Sequence, residues 1–196
     1  FNPQILKRYV NFMNNPDEET AIDQFGSGDK YFGVLVLMNT LPGLPMFAHG
    51  QIEGYTEKYG MEYKRAYYNE KPVDWLVQRH EREIFPIMKK RYIFSEVNNF
   101  WIYDFLNEHG IVNENVFVYS NKFGDERGLV LYNNSYESTS GYFYFSRQKL
   151  SGNSSSEPHL INTNIAGNYD IKNSDFHFYI FRDATTGLEY FYNGRE

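Results

Sequence analysis

The chain contains no cysteine, so neither a disulfide framework nor a thiolate metal site can form in it. It also lacks an apolar run of the roughly 20 residues that a helix needs to span a bilayer, which predicts no membrane partner. Acidic side chains outnumber basic ones by 25 to 19, giving a formal net charge of -6. This charge, and the lack of a basic patch with interleaved aromatics, argue against nucleic acid as a partner.

Most short motifs that mark an enzyme active site are also missing. There is no Gly-x-Ser-x-Gly elbow for a serine nucleophile, and no glycine-rich loop for a nucleotide phosphate. The five histidines are scattered along the chain and therefore predict no zinc site. Loop acids offer oxygen ligands for Ca²⁺, but without the spacing of an EF-hand. We therefore predict no cofactor, with Ca²⁺ as an unsupported alternative.

The elements that are present divide the chain into two domains. Over residues 1–95, short apolar strands alternate with helical segments, which is typical of a parallel α/β architecture. Over residues 96–196, short runs rich in β-branched and aromatic residues are separated by polar turns, which predicts an antiparallel β-sandwich. The predicted strands of this second domain are 100–105, 115–120, 128–133, 142–146, 176–181 and 187–192. A flexible, low-complexity loop is predicted over 151–158.

The first domain opens with a predicted strand at Tyr9–Met13, which runs into the polar stretch Asn14–Asp17. An asparagine can cap free N–H groups, a proline suits the first helical position, and acids favour the positive end of the helix dipole. This polar stretch therefore predicts the start of a helix. A further helix is predicted over Tyr31–Met38, capped by Asp29, and then a second strand over Leu44–Ala48. A long polar loop over 55–72 and a helical region over 73–91, capped by Asp74 and interrupted by Pro86, complete the domain.

Polar side chains follow both predicted strands, at the end where parallel α/β proteins carry their active sites. Asp17 follows the first strand, and His49 and Glu53 follow the second. Two carboxylates on either side of a sugar bond are the machinery of glycoside hydrolysis, which makes Asp17 and Glu53 candidates for that chemistry. The alternatives are that Asp17 only caps a helix, that Glu53 is a solvated loop acid, and that His49 is a packed or capping residue.

Three ordered stretches resemble segments of the α-amylase family of glycoside hydrolases. The stretch Phe12-Met-Asn-Asn-Pro-Asp17 resembles the fourth signature region of that family, Phe-x-x-Asn-His-Asp. Gly43-Leu-Pro-Met-Phe-Ala-His-Gly50 is similar to the family's Gly-Ile-Pro-x-x-Tyr-Tyr-Gly segment on the eighth barrel strand. The runs that begin at Val116 and Gly128 resemble the first strands of the β-sandwich that follows the barrel.

The resemblance implies that residues 1–95 form the last βα units of a TIM barrel and that residues 96–196 form its C-terminal β-sandwich. Asp17 then falls on the family's third carboxylate, which binds substrate hydroxyls and stabilises the transition state without attacking it. Asn15, His49 and Glu53 are the candidate substrate-binding residues. Pro16 departs from the family pattern, which has a substrate-binding histidine at that position.

No stretch matches the nucleophile or the acid/base of the family, which belong to earlier strands. Because the chain also begins at Phe1 rather than Met, we expect a fragment of an α-glucan-active enzyme that is inactive alone. The predicted partners are an α-glucan or maltooligosaccharide, and either the missing part of the barrel or a second copy, because two βα units leave apolar faces open. The alternatives are a carbohydrate-binding or assembly module with exposed aromatics, and a degenerate, non-catalytic family member.

Overall fold

A computed structural model describes residues 1–60, 63–151 and 157–195 of the chain. It contains both helices and sheets, and its strands pair antiparallel except for one parallel pair near the N-terminus. The chain divides into two compact units, Lys7–Ser95 and Glu96–Glu196, the latter joined by Phe1–Leu6. The sheets in the described residues do not close into a barrel. The coarse prediction of helix-and-sheet followed by antiparallel sheet is thus confirmed, and the barrel-plus-sandwich assignment stays a prediction.

The unit Lys7–Ser95 begins with a strand–helix–strand arrangement. Strand β1 (Val10–Phe12) pairs in parallel with β2 (Leu44–Met46). The helices α1 (Ala21–Phe25) and α2 (Asp29–Thr40) lie between them in the chain. The prediction of both strands and of α2 is confirmed, because each apolar run is bounded by polar or glycine-rich turns that fix where it begins and ends.

The helix start predicted at Asn14–Asp17 is wrong. The chain makes a turn there, and α1 begins only at Ala21, with Thr20 as its N-cap. The side-chain oxygen of Asn15 accepts hydrogen bonds from the backbone N–H groups two and three residues further on, at 2.8 and 3.1 Å. Asparagine side chains can close such local turns as readily as they cap helices, and here the turn competes successfully with the helix.

The prediction that two acids cap helices is wrong as well. Asp29 is the first residue of α2, and the capping position belongs to Gly28. Likewise residue 74 is the first residue of the next helix, and Val73 precedes it at the cap. Both acids still lie in a first helical turn, where a negative charge favours the positive end of the helix dipole.

An irregular helical region closes this unit. Helix α3 (Asp74–Arg79) continues through a π-helical turn at His80–Ile84 into α4 (Phe85–Lys89), and a 3₁₀ turn follows at Arg91–Ile93. Pro86 lies in the first turn of α4. Because a proline has no N–H to donate, the hydrogen-bond ladder widens just before it, which explains a π-helical turn where the sequence predicts a kink or break.

The buried core of this unit comes mainly from the helices. Side chains from α2 pack with others from the end of β1 and from α3; the cluster is Met13, Ala21, Tyr31, Phe32, Leu35, Met38, Leu76 and Ile84. This packing anchors the carboxyl end of β1 against the helices. No helix in the described residues has both the length and the apolar character that crossing a membrane requires.

The second unit consists mostly of short antiparallel strands. A three-stranded sheet in the order β3-β4-β5 is followed by two separate ribbons, β6 with β7 and β8 with β9. The elements are β3 (Trp101–Tyr103), β4 (Val116–Phe123), β5 (Glu126–Asn133), β6 (Lys149–Leu150), β7 (Leu160–Ile161), α5 (Ile165–Tyr169), β8 (Phe178–Arg182) and β9 (Glu189–Asn193).

One strand of this unit is predicted wrongly. The run 142–146 forms isolated bridges to three different segments, at Leu106, Asn164 and Tyr103, and therefore does not become a continuous strand. Residues 152–156 of the predicted low-complexity loop lie outside the described part of the chain.

Candidate functional site

An open pocket lies at the carboxyl ends of the two parallel strands of the first unit. The turn after β1 and the end of β2 supply two of its walls, and the loop after β2 supplies the third. Its lining includes Asn14, Asn15, Pro16, His49, Lys58 and Tyr59. The carboxyl ends of parallel strands are where α/β proteins bind their ligands, because neighbouring loops converge there.

Two of the four predicted site residues meet in this pocket. Asn15 and His49 both line it, although one follows β1 and the other follows β2. Asp17 belongs to the same turn as Asn15, and its side chain is exposed beside the lining residues rather than among them. The Lys58 ammonium donates a hydrogen bond to the backbone carbonyl of Asp17 at 3.0 Å, which ties this turn to the loop after β2.

Asn14 is a pocket residue that the sequence pattern does not single out. It lines the pocket while being only 7% exposed. Its side-chain oxygen is buried and has no hydrogen-bond partner within the described part of the chain. Nearly all buried polar groups in proteins are paired, so an unpaired amide at a pocket wall is a group that a ligand hydroxyl or a water can satisfy.

Gln51 connects the two loops from behind the pocket. It is 3% exposed, and its side-chain oxygen accepts a hydrogen bond from the Ala48 N–H at 3.1 Å. Its side-chain nitrogen lies 3.3 Å from the sulfur of Met13, at the end of β1. Its backbone carbonyl accepts a hydrogen bond from the Tyr31 hydroxyl at 2.7 Å. Gln51 therefore links the ends of both strands to α2.

Glu53, the remaining predicted residue, is half-buried and is not among the residues that line the pocket. Its charge acts instead on the buried pair Tyr31 and His80. Burial raises the pKa of the Tyr31 hydroxyl far above its ordinary value, and Glu53 raises it further. Burial lowers the pKa of His80, although a hydrogen bond with the Leu76 carbonyl and the charge of Glu53 both favour the protonated ring.

Two carboxylates hold the loop that follows β2. The Glu70 carboxylate accepts hydrogen bonds from the N–H and the hydroxyl of Thr56, at 2.7 and 2.8 Å, and from the Glu57 N–H at 3.1 Å. Glu57 in turn accepts from the N–H groups of Tyr67 and Tyr68, at 2.6 and 3.0 Å. Such charge-assisted bonds are stronger than neutral ones, so they hold residues 56 and 57 beside residues 67, 68 and 70, which form no helix.

A run of aromatic rings leads from the pocket along this loop. The ring centroids of His49 and Tyr59 are 5.7 Å apart, those of Tyr59 and Tyr63 are 6.0 Å apart, and those of Tyr63 and Tyr67 are 5.4 Å apart. Tyr59 and Tyr63 are 36% and 37% exposed, and Tyr67 is 69% exposed. Residues 61 and 62 of the predicted long loop lie outside the described part of the chain.

The second unit also exposes aromatic rings, which are what a carbohydrate-binding module would use. Such a module would use a row of coplanar, exposed rings. The rings of Phe117 and Tyr132 are stacked, with centroids 6.1 Å apart and planes that meet at 25°. Phe117 is exposed and Tyr132 is half-buried. Trp101, in contrast, is only 8% exposed and lies in the buried core. Phe176, Phe178 and Phe191 are exposed as well, at 91%, 68% and 64%, so the alternative of a carbohydrate-binding module keeps its basis in this unit.

The described residues hold no group of three or more His, Asp or Glu side chains arranged to bind a metal ion. Comparisons of the chain with protein-family models, with curated proteins and with solved structures gave no match. The chemical interpretation of the pocket therefore depends on its own residues and on the resemblance of the two stretches that form it.

Proposed function

We propose that this chain is the C-terminal part of an α-amylase-like glycoside hydrolase, and that the pocket beside β1 and β2 contacts its α-glucan substrate. One observation carries the proposal. The stretch around Asn15 and the stretch around His49, which resemble the family separately, meet in one pocket because β1 and β2 pair in parallel. The resemblance implies that the two stretches belong to one substrate site, and their meeting in one pocket supports that implication.

In this proposal the polar groups of the pocket bind sugar hydroxyls. The Asn14 oxygen, unpaired among the described residues, accepts a hydrogen bond, and Asn15 and His49 contribute further ones. Asp17 supplies the carboxylate that binds hydroxyls and stabilises positive charge in the transition state. The turn closed by Asn15 keeps the backbone of Asp17 at the rim of the pocket. Glu53 supports the buried network behind the pocket and does not contact the sugar.

Hydrolysis itself needs two further carboxyl groups, one as acid and base and one as nucleophile or base. The proposal assigns these to earlier strands of the parent enzyme, so the chain alone binds sugar without cleaving it. The second unit would be the β-sandwich that follows the barrel in this family. Its strands pair antiparallel, as the strands of such a sandwich do, and this supports the assignment.

An exposed apolar face on the parallel pair supports the same proposal. Val10 and Phe12 lie on one side of β1, since they are two residues apart, and Val10 pairs with Leu44 of β2. Their exposed fractions are 46%, 43% and 63%. Side chains of this kind are normally covered in an α/β protein. In our proposal the remaining strands of the barrel, or a second copy of the chain, cover this face.

The proposal is tested by titrating the purified chain with maltotriose and following backbone amide signals by NMR. We expect the signals of Asn15 and His49 to shift. The variant Asp17→Asn should bind maltotriose about tenfold more weakly, because it loses a charge-assisted hydrogen bond. Asp125→Asn, an exposed acid of the other unit, is the matched control and should bind normally. Absence of binding, or release of glucose or maltose by the chain alone, would refute the proposal.

Pro16 favours a second candidate, a family member that keeps the fold and has lost activity. Proline cannot provide the hydrogen bonds that a histidine gives a sugar, and it lines the pocket. The parent gene decides between the two candidates. Carboxylates at the ends of the strands encoded upstream of Phe1 would favour the active enzyme, and their absence would favour the non-catalytic member.

A further inference from the structure

We infer that the two-stranded ribbon of β8 and β9 is a dimer interface, and that one side of it packs against the same side of a second copy of this chain. We call this side the ribbon face, and it consists of Phe178, Ile180, Arg182, Glu189 and Phe191. The inference adds an assembly surface in the second unit and does not depend on sugar binding by the first.

The ribbon face is largely apolar and open. The antiparallel register places Ile180 opposite Phe191 and Arg182 opposite Glu189. Opposite residues lie on the same side of a ribbon, and Phe178 lies on that side as well, two positions before Ile180. Phe178, Ile180 and Phe191 are 68%, 58% and 64% exposed. Strand faces of this composition normally pack against another layer.

The chain itself does not bury this ribbon. Every residue of β8 and β9 is exposed or half-buried, and none belongs to the core cluster around Trp101. In the part of the chain that the structure describes, β8 and β9 pair only with each other. An isolated two-stranded ribbon is marginally stable in water and gains stability when its apolar face is covered.

The charges near the turn of the ribbon point to a second copy as the covering partner. Arg182 and Glu189 are exposed, and neither forms an ion pair with another described residue. A twofold axis parallel to the strands places β8 of one copy over β9 of the other. Arg182 then meets the partner's Glu189 on both sides of the axis, and Ile180 meets the partner's Phe191. The ribbon face is therefore complementary to itself, as a twofold interface requires.

The same charges select the direction of the axis. A twofold axis perpendicular to the strands would place Arg182 over the partner's Phe178. It would bury a positive charge against an apolar ring without a counter-ion, which is costly. We therefore assign the axis that runs along the strands.

The area of the ribbon face fits a reversible dimer. Phe176, which is 91% exposed, precedes β8 and adds to the apolar surface. Because an aromatic side chain removes about 150–250 Å² from water when it is buried, these apolar side chains offer on the order of 500 Å² per copy. Two copies then bury about 1,000 Å², the lower size of specific interfaces. We expect a dimer that dissociates in the micromolar range.

Sedimentation equilibrium of the full chain measures this assembly. We expect the average mass to rise from one copy to two as the concentration increases from about 1 to about 100 μM. Phe191→Ala should weaken the dimer about tenfold, because each copy loses a ring from the interface. Tyr136→Ala, at a 93% exposed position outside the ribbon, is the control and should assemble like wild type.

Charge reversal tests the twofold arrangement. Arg182→Glu and Glu189→Arg each place like charges opposite one another between copies, and each should weaken self-association by about tenfold or more. In a mixture of the two variants an acidic face meets a basic one, so a heterodimer should form at least as tightly as the wild-type dimer. This recovery would also show that both variants fold. Glu137→Arg, which reverses an exposed acid outside the ribbon, should assemble like wild type.

Four outcomes would overturn the inference. The first is a chain that stays monomeric over this range. The second is such a monomer in which Phe191→Ala weakens maltotriose binding, because the ribbon then serves a carbohydrate-binding module. The third is a dimer that persists in Phe191→Ala and is lost in Phe12→Ser, because it then uses the exposed face of β1. The fourth is a mixture of the two charge variants that associates no better than either alone. The amide shifts of Asn15 and His49 test the pocket separately.

Discussion

The hydroxyl of Tyr31 lies 3.2 Å from Nε2 of His80, although the two residues are 49 positions apart in the chain. The same hydroxyl donates to the Gln51 carbonyl at 2.7 Å, so its single proton serves two acceptors. His80 Nδ1 lies 2.8 Å from the Leu76 carbonyl and donates to it in the neutral ring. This buried cluster connects α2 and the helical region after α3 to the loop that forms the pocket.

The first prediction concerns the hydroxyl at the centre of this cluster. Tyr31→Phe keeps the buried ring and removes the donor shared by Gln51 and His80. Because buried acceptors are then left unpaired, we expect the free energy of unfolding to fall by about 1–3 kcal/mol. Urea denaturation followed by intrinsic fluorescence measures the change. Tyr136→Phe, at an exposed position, should shift stability by less than about 0.5 kcal/mol. Equal urea midpoints for wild type and Tyr31→Phe would contradict the prediction.

The second prediction is a loss of stability in weak acid that originates at His80. Burial lowers the pKa of this ring below its ordinary value of 6.5, and Arg79 adds to the effect, while Leu76, Glu53 and Glu83 oppose it. Between pH 6.5 and the lowered value of the folded protein, the unfolded chain binds a proton that the folded chain does not. Stability is therefore greatest above pH 6.5 and decreases as the pH falls from there toward the folded pKa.

The measurement compares urea midpoints of wild type and His80→Gln from about pH 7.5 to about pH 5. We expect the wild-type midpoint to fall further across this range than that of His80→Gln, which carries no titrating ring. His109→Gln removes an exposed histidine of the other unit and should retain the wild-type slope. If His80→Gln keeps that slope too, His80 is not its source.

The third prediction concerns the Glu70 carboxylate, which binds Thr56 and Glu57 in the loop that follows β2. Burial tends to raise the pKa of Glu70, but hydrogen bonds from Thr56 and Glu57 outweigh it and the pKa is lowered below 4.5. The stabilisation is therefore present above pH 4.5 and is lost as the pH falls through the lowered value. Glu70→Gln keeps the shape and weakens the charge-assisted bonds. We expect faster amide hydrogen exchange at Thr56 and Glu57.

Glu189→Gln, which replaces an exposed acid of the other unit, is the control for this experiment. It should leave exchange at Thr56 and Glu57 unchanged. Exchange rates in Glu70→Gln that equal those of wild type would show that other contacts protect the amides of Thr56 and Glu57.

The parallel strands and α2 could be predicted because their signals are local. The apolar run Tyr31–Met38 begins just after a glycine-rich turn, and Asn15 and His49 follow apolar runs that can only be strands or helices. Parallel strands carry their ligands at one end, so these two residues could be placed at one site. The helix start at Asn14–Asp17 could not be resolved, because the residue types that cap a helix also close a turn.

The parts that were missed depend on contacts between distant positions. Nothing in the sequence around His80 indicates that its ring meets Tyr31, since helical periodicity assigns it only to a buried face. Gln51 resembles any polar loop residue until the fold buries it between Met13 and Ala48. The Glu70 carboxylate likewise accepts a hydrogen bond from Thr56, 14 positions earlier in the chain, and no local sequence pattern predicts a contact at that separation.

The last prediction addresses a buried lysine in the second unit. Lys149 is 2% exposed, and its ammonium donates to the backbone carbonyls of Asn98, Phe100 and Val97 at 2.6, 2.9 and 3.3 Å. It also lies 3.7 Å above the ring of Trp101, which favours a positive charge. Burial lowers the pKa of Lys149 to about 8, because the charged ammonium loses its hydration. The hydrogen bonds to the three carbonyls offset part of this loss.

Lys149→Met replaces the amine with an apolar chain of similar length and leaves three carbonyls without their donor. The substitution also removes a buried charge, which favours folding. We expect the loss of hydrogen bonds to the buried carbonyls to be the larger effect, so the free energy of unfolding should fall by about 1–3 kcal/mol at neutral pH. Urea denaturation measures this loss, and Lys172→Met, which alters an exposed lysine of the same unit, should leave the midpoint unchanged. A gain in stability in Lys149→Met would mean that desolvation of the ammonium is the larger effect, and the carbonyls would then be satisfied by water that enters beside Trp101.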